Sequence, residues 1–315
     1  MTAQKQVYFV AGLPRSGSTL LMNILGQNPR FYVTPTSGIL DVLVQTRNAW
    51  DKSSAFRSLM RDESETIKSN VMKSILQAYF AHTDKPICFD KNRNWTEYLE
   101  MAAALTHGPE NLRILISVRD LRDIVASFEK LYRKTSALSQ IPQEAGDPIA
   151  MKTAVGRLSV FIDNRQPVGR AFNAVRDAVT RGWRKQMLFV EYGALTNAPK
   201  KTLDAIYTFL GQPSFDHDFD HVEQTTFEDD SVHGFKDLHT IRQKVAPQKP
   251  QWPMVFDETV LGHKIWQDVE GLARFWRGYL KGDKTNGPAP VHPQIQMPNN
   301  MIPGQVPDQG GSRQI

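Results

Sequence analysis

Val7-Tyr8-Phe9-Val10-Ala11-Gly12-Leu13-Pro14-Arg15-Ser16-Gly17-Ser18-Thr19-Leu20-Leu21 runs from an apolar strand through a glycine-bounded turn into an apolar-periodic helix. A strand that feeds a helix through a tight turn aims backbone N–H groups at one point, and the helix dipole adds partial positive charge there. Gly12 and Gly17 permit the backbone angles, Ser16, Ser18 and Thr19 add hydroxyl donors, and Arg15 adds a permanent charge. The stretch therefore predicts a phosphate-cradling loop, since an ordinary strand–helix turn has no need of so many donors. Its spacing, Gly12-xxxx-Gly17-Ser18-Thr19, departs from the P-loop of nucleotide hydrolases and kinases at one place, where Ser18 replaces Lys.

Around this loop, short apolar strands alternate with helical patterns, the mark of βαβ units and a parallel sheet. After Val7–Ala11 come the strands Ile87–Asp90, Leu112–Val118 and Met187–Val190. Helices are predicted over Thr19–Gly26, much of 38–82, Trp95–Leu105, Arg122–Lys134, Ala150–Arg165, Ala171–Lys185 (broken from its predecessor at Pro167), Pro199–Leu210 and Thr259–Tyr279. Ser136–Asp147 reads as a loop and Ser214–Lys249 as polar and irregular. The expected architecture is an α/β fold in three layers, α/β/α, around a central parallel sheet. One domain spans 1–281, followed by a Pro-, Gln-, Asn- and Gly-rich tail over 282–315 whose composition predicts disorder.

With 315 residues, 40% of them hydrophobic, the chain can bury a sizeable core. Lys and Arg outnumber Asp and Glu by 38 to 33, a modest excess that suits an anionic ligand, and without a long basic block no nucleic-acid partner is expected. Cys88 is the sole cysteine, so there is no internal disulfide framework and no Cys-based metal site. His217, His221, His233 and His239 have no compact metal-binding spacing, and no metal is expected. The polar Met1–Gln6 segment does not resemble a signal peptide, and no apolar run approaches the roughly 20 residues of a membrane span. A soluble, cytoplasmic protein without a membrane partner is expected; oligomeric state is left open.

Magnesium-dependent phosphoryl transfer calls for the P-loop Lys and for an acidic residue that ends a second strand. Here Leu112–Val118 leads into a cation, Arg119, and only then Asp120 and Asp123. A divergent P-loop kinase is therefore a secondary reading, as is a nucleotide-binding module without catalysis. Arg119 sits at the strand end where open α/β sheets hold ligands, and Ser127 lies two helical turns further on. Together they would clamp a second phosphate, the alternative being an Arg–Asp pair on a helix surface.

The two motifs jointly resemble the sulfotransferase family that uses 3′-phosphoadenylyl sulfate, and the likeness covers about residues 6–280. Pro14-Arg15-Ser16-Gly17-Ser18-Thr19 is similar to that family's 5′-phosphosulfate loop, and Arg119 with Ser127 to its 3′-phosphate motif. Leu188-Phe189-Val190-Glu191-Tyr192-Gly193-Ala194-Leu195, followed by Pro199-Lys200-Lys201-Thr202-Leu203, resembles a third segment that implies Tyr192 beside the adenine. Asn28-Pro29 and Cys88-Phe89-Asp90-Lys91 lean toward the tyrosylprotein and bacterial or viral branches. The resemblance implies a P-loop-like fold and metal-independent transfer of a sulfuryl group from 3′-phosphoadenylyl sulfate to a hydroxyl or amine, with adenosine 3′,5′-bisphosphate as product. The acceptor, whether a protein tyrosine, a carbohydrate or a small molecule, is not legible.

Lys91, ending a strand, is the candidate that stabilises transferred charge; otherwise it is a solvated loop lysine. Arg242 and Lys244 resemble a late basic loop that closes over the 3′-phosphate, or else form a basic surface stretch. The positions at which relatives carry a base hold Thr36, beside Ser37, and Arg93. Asp41, about one helical turn beyond, is the candidate base, with Asp90 behind it.

Overall fold

In the computed structural model, residues 4–135 and 148–280 are described. Five strands form one parallel sheet in the order β2-β3-β1-β4-β5. They are β1 (Gln6–Gly12), β2 (Phe31–Thr36), β3 (Ile87–Lys91), β4 (Ile114–Val118) and β5 (Met187–Glu191). β1 lies in the middle, and its neighbours β3 and β4 lead outward in opposite directions, so the order reverses beside it. Ligand crevices open at such a reversal, outside the carboxyl ends of the strands.

Register brings those ends level. Val10 pairs with Lys91, Thr36 with Lys91, Gly12 with Ser117, and Val118 with Glu191. The strands β3 and β4 are buried along their whole length, which is why β4 and the first three residues of β3 read as continuous apolar runs rather than alternating ones; β3 ends in the buried charged residues Asp90 and Lys91. β2 was absent from the sequence reading. Its run Phe31-Tyr32-Val33-Thr34-Pro35-Thr36 carries a proline, which a strand tolerates at a sheet edge, and the register with β3 shifts between Val33 and Thr36.

Helices α1 (Ser18–Leu25), α2 (Ile39–Lys52), α3 (Ser54–Arg57), α4 (Arg61–Tyr79), α5 (Leu99–Leu105) and α6 (Leu121–Thr135) belong to the first half. The second half holds α7 (Ala154–Ile162), α8 (Pro167–Thr180), α9 (Tyr192–Asn197), α10 (Pro199–Leu210), α11 (Trp252–Val255), α12 (Glu258–Leu261) and α13 (Lys264–Leu280). On one face of the sheet Tyr8 and Val10 meet Leu21, Ile24 and Leu25 of α1 and Leu203, Ile206 and Leu210 of α10. On the other, Phe9 packs against Trp95, ring centroids 4.2 Å apart and the rings tilted by 45°. Alternation of side chains along β1 thus feeds both layers, and the three-layer α/β/α arrangement is present.

Three helix predictions are corrected. Trp95–Leu105 divides into a 3-10 turn, Arg93–Glu97, and α5. The two helices are separate as expected, but the second, α8, starts at Pro167 rather than Ala171, with the proline at the first helical position, where its missing N–H costs nothing. Thr259–Tyr279 divides at Gly262 into α12 and α13. The Ser136–Asp147 loop and the 281/282 domain boundary lie outside the described residues. The chain forms two compact units, Met1–Ala273 and Arg274–Ile315, and of the second only the end of α13 is described. No described helix is long and apolar enough to cross a membrane.

Candidate active site

The loop between β1 and α1 turns twice through left-handed backbone. Gly12 has φ +121°, and a Cβ there would lie 2.2 Å from the Ser117 carbonyl oxygen, so only glycine lets β1 and β4 close together. Gly17, the residue before α1, has φ +90°, and a Cβ there would strike the Tyr192 ring at 2.5 Å. Arg15 takes φ 56° without being glycine, a conformation that costs on the order of 1–3 kcal/mol and persists only where the surroundings enforce it. The Ser16 hydroxyl donates to the Leu13 carbonyl, and the Leu13 N–H donates to Ser117 O at 2.8 Å. The loop is built in advance of any ligand.

Cations converge on it. Arg15 donates through Nε to the Ser127 hydroxyl at 3.1 Å and through Nη1 to the Leu238 carbonyl. Arg119, leaving β4, donates to the Arg15 carbonyl at 3.4 Å and lies 4.5 Å from the centroid of the Tyr192 ring. Asp123 approaches the same guanidinium at 3.9 Å. Burial, and then the neighbouring Arg119, lower the Arg15 pKa. An arginine remains protonated regardless, so a bound anion would relieve both penalties. Arg15, Arg119, Ser127 and Tyr192, drawn from four separate stretches of sequence, therefore form one cluster.

Lys91 ends β3 with its ammonium 3.4 Å from the Thr19 hydroxyl and 2.9 Å from Glu228 Oε1. Both side chains of this pair are shielded, 6% and 9% exposed. Burial lowers the Lys91 pKa, an effect that the Glu228 carboxylate only partly offsets. Burial by itself would raise Glu228, but the Lys91 charge and the Thr36 N–H, 2.8 Å from Oε1, outweigh it and hold the carboxyl below its usual range. On the far side His239 Nδ1 lies 3.3 Å from Glu228 Oε2 and 2.6 Å from Asp230 Oδ1. Facing two carboxylate oxygens, that nitrogen carries the proton. Burial depresses the His239 pKa first, against the pull of Asp230.

Arg15, Arg119, Ser127, Tyr192, Lys91 and Glu228, with Thr19 and His239, line one cavity of about 1170 Å³ at the carboxyl edge of the sheet. Its described lining holds eight Lys and Arg side chains against three Asp and Glu, the balance of an anion site. Asp41 lines it as an exposed residue in the first turn of α2. Asp90 faces the other way. It is fully buried, its Oδ1 accepts from Trp95 Nε1 at 2.7 Å, and its pKa is pushed up by burial to about 6. Arg242 and Lys244 also line the cavity, but both are exposed; Arg242 donates to Gln248 at 2.8 Å, and Lys244 pairs with Asp220 at 2.7 Å. Among the described residues no three His, Cys, Asp or Glu side chains group as a metal site would require.

Sequence reasoning does not find Glu228 or Asp230, and it weighs His239 only as a metal ligand. They come from the irregular 214–249 segment, which carries no periodicity to locate it; the one signal was its density of acidic and His residues.

Comparison with known proteins agrees with this geometry. The profile of the sulfotransferase family matches residues 8–217. Chicken protein-tyrosine sulfotransferase 2 is 25% identical over 207 residues, 64% of this chain and 50% of the relative, so the chain spans half the length of that curated protein. In fold it is similar to mouse sulfotransferase SULT7A1 complexed with PAP (TM-score 0.51, 15% identity, 87% of this chain and 89% of that one). It is also similar to the sulfotransferase domain from the curacin biosynthetic pathway (TM-score 0.50, 14% identity, 88% and 99%). The match across two thirds of the chain, on the strands and loops that build the cavity, places this protein in the sulfotransferase family.

Proposed function

We propose that this chain transfers the sulfuryl group of 3′-phosphoadenylyl sulfate to a hydroxyl or amine acceptor, releasing adenosine 3′,5′-bisphosphate. The observation that carries this reading is the convergence of Arg15, Ser127, Arg119 and Tyr192 on a prebuilt glycine loop. Two guanidinium groups, one of them bonded to the Ser127 hydroxyl, suit a nucleotide bearing two separate phosphates, and the aromatic ring of Tyr192 beside Gly17 offers a face for its base. PAP in the mouse neighbour is the same kind of ligand.

In this reading Arg15, Ser16, Gly17, Ser18 and Thr19 hold the 5′-phosphosulfate, Arg119 and Ser127 the 3′-phosphate, and Tyr192 the adenine. Arg242 and Lys244 border the cofactor cavity as its outer basic rim. The donor supplies an activated sulfuryl group on a phosphate leaving group. Lys91 and the loop donors face the oxygens on which charge grows as the bond breaks, and fixed donors at such oxygens typically lower barriers by about 3–4 kcal/mol each. Protein tyrosine, named in the chicken relative, is one acceptor class to be tried beside carbohydrates and small molecules.

Calorimetric titration with adenosine 3′,5′-bisphosphate in EDTA tests the assignment. Tight binding that magnesium does not alter is expected, and a preference for ATP with magnesium overturns it.

A further inference from the structure

Of the three carboxylates that line the cavity, Asp41 and Asp229 are exposed and Glu228 alone is shielded. Glu228 is buried in a shell of cations and donors meant for an anion, and it reaches them from a segment some two hundred residues beyond the glycine loop. Its Oε1 takes the Lys91 ammonium and the Thr36 N–H, and its Oε2 faces His239, which Asp230 grips at 2.6 Å from the other side. The carboxylate is therefore fixed in place by β2, β3 and the late segment together. Thr36, whose N–H it accepts, is the position at which the sequence lacked a base.

We propose that Glu228 is the general base of this sulfotransferase, and that donor binding activates it by drawing the Lys91 ammonium away from Oε1 toward the phosphosulfate. The proposal rests on the donor assignment above. Lys91 is already within 3.4 Å of the loop hydroxyl of Thr19, so it stands between the two anions and needs no large movement to change partners. With Lys91 on Glu228, the carboxylate is a weak base. Once that charge shifts to the donor, Glu228 becomes more basic and Oε1 gains a free lone pair. The acceptor O–H proton then passes to Oε1 as the acceptor oxygen bonds to sulfur. The bond from sulfur to the bridging phosphate oxygen breaks, and its electron pair leaves on the bisphosphate. Atoms and charge balance without a metal or a redox partner. The coupling gives a physical reason for the buried pair: the base is quenched until the donor is present.

The charged and titratable groups facing Glu228 are Lys91 from β3, and His239 with Asp230 behind it from the late segment. The test is Glu228→Gln, which keeps the shape and an oxygen for Thr36 and Lys91. Its binding of adenosine 3′,5′-bisphosphate should equal or exceed that of the wild type, because a competitor for Lys91 is gone. Transfer from radiolabelled donor, with water and simple phenols as acceptors, should fall roughly a hundredfold or more, the usual range for loss of a general base. Calorimetry near pH 5.5 in buffers of differing ionisation heat adds a readout independent of any acceptor. Wild type should take up more protons on binding the bisphosphate than Glu228→Gln does, since Glu228 gains affinity for a proton when Lys91 leaves. Equal proton uptake, or transfer within threefold of wild type, overturns the proposal. So does parallel loss of binding and transfer, the mark of a structural role, and so does a loss confined to Asp41→Asn. Failure of the wild type itself to bind the bisphosphate is a different result: it removes the donor assignment, and the base with it.

Discussion

Arg119 shows how much one side chain can decide. It could have been half of an ordinary Arg–Asp pair at a helix start, and Asp123 does stand 3.9 Å from it. That contact is long, whereas the guanidinium lies 4.5 Å over Tyr192 and donates to the loop carbonyl of Arg15. Its side chain is 13% exposed, so it works in a partly dry setting where charge-assisted hydrogen bonds keep more of their strength. Hydrogen bonds to charged groups contribute about 1.5–3 kcal/mol, which is roughly ten- to a hundredfold in affinity. Arg119→Ala should therefore weaken adenosine 3′,5′-bisphosphate by about that factor while leaving adenosine 5′-phosphate within threefold, as read by competitive titration. Equal losses for the two ligands would remove its assignment to the 3′-phosphate.

Among the elements, the glycine loop was the most legible, because its function demands residue types that nothing else does. Gly17 illustrates the cost of changing them. An alanine there would carry φ +90° and a methyl 2.5 Å from the Tyr192 ring. Strain of this kind amounts to roughly 1–3 kcal/mol, and the ring that must move is the proposed adenine contact. Gly17→Ala is expected to lower the melting temperature and to weaken bisphosphate binding at least about tenfold. Tyr192→Ala makes room for the methyl but does not relax the backbone, so the double variant should melt below Tyr192→Ala alone; equal melting temperatures would mean that φ was never the constraint. β4 and the apolar start of β3, Ile87-Cys88-Phe89, were equally readable, since strands buried on both faces favour apolar runs. β2 was not, because an edge strand with Pro35 and a register shift lacks that signature. The carboxylates of the cavity differ in legibility. Asp41 was chosen for its distance along the chain, and it lies exposed at the start of α2. Glu228 sits in a segment with no repeating structure, held by contacts to Thr36, Lys91 and His239 that only tertiary folding creates.

For the molecule as a whole, that late segment is bound to the sheet layer through several polar junctions, among them Asn23 with Thr226, Lys91 with Glu228, and a buried one at His217. His217 Nε2 lies 3.0 Å from the Tyr207 hydroxyl of α10, which also accepts from Asn28 Nδ2 at 3.0 Å, and His217 Nδ1 lies 3.3 Å from Gln27 Oε1. Asn28 fills its hydroxyl's acceptor side, so Tyr207 donates to Nε2, and Nδ1 carries the imidazole proton toward Gln27. Charging the ring would put a second proton where the hydroxyl already donates. Burial accordingly pushes the His217 pKa down to about 4, against an ordinary value of about 6.5 in the unfolded chain. Between those values the unfolded state binds the proton that the native state refuses, so stability rises with pH there and is lost as pH falls from about 6.5 toward about 4. Asp90 acts in the opposite sense. Its native pKa of about 6 lies above the ordinary 3.8, so its contribution is full at low pH and declines as pH rises through 6. The wild-type profile alone mixes the two, and the informative quantity is the difference between wild type and His217→Gln. Urea unfolding at intervals from pH 4.5 to 7 should give a wild type that loses stability toward acid by close to one proton's worth of slope more than the variant. Parallel curves would show that His217 titrates alike in both states and that its burial in this junction does not keep it neutral.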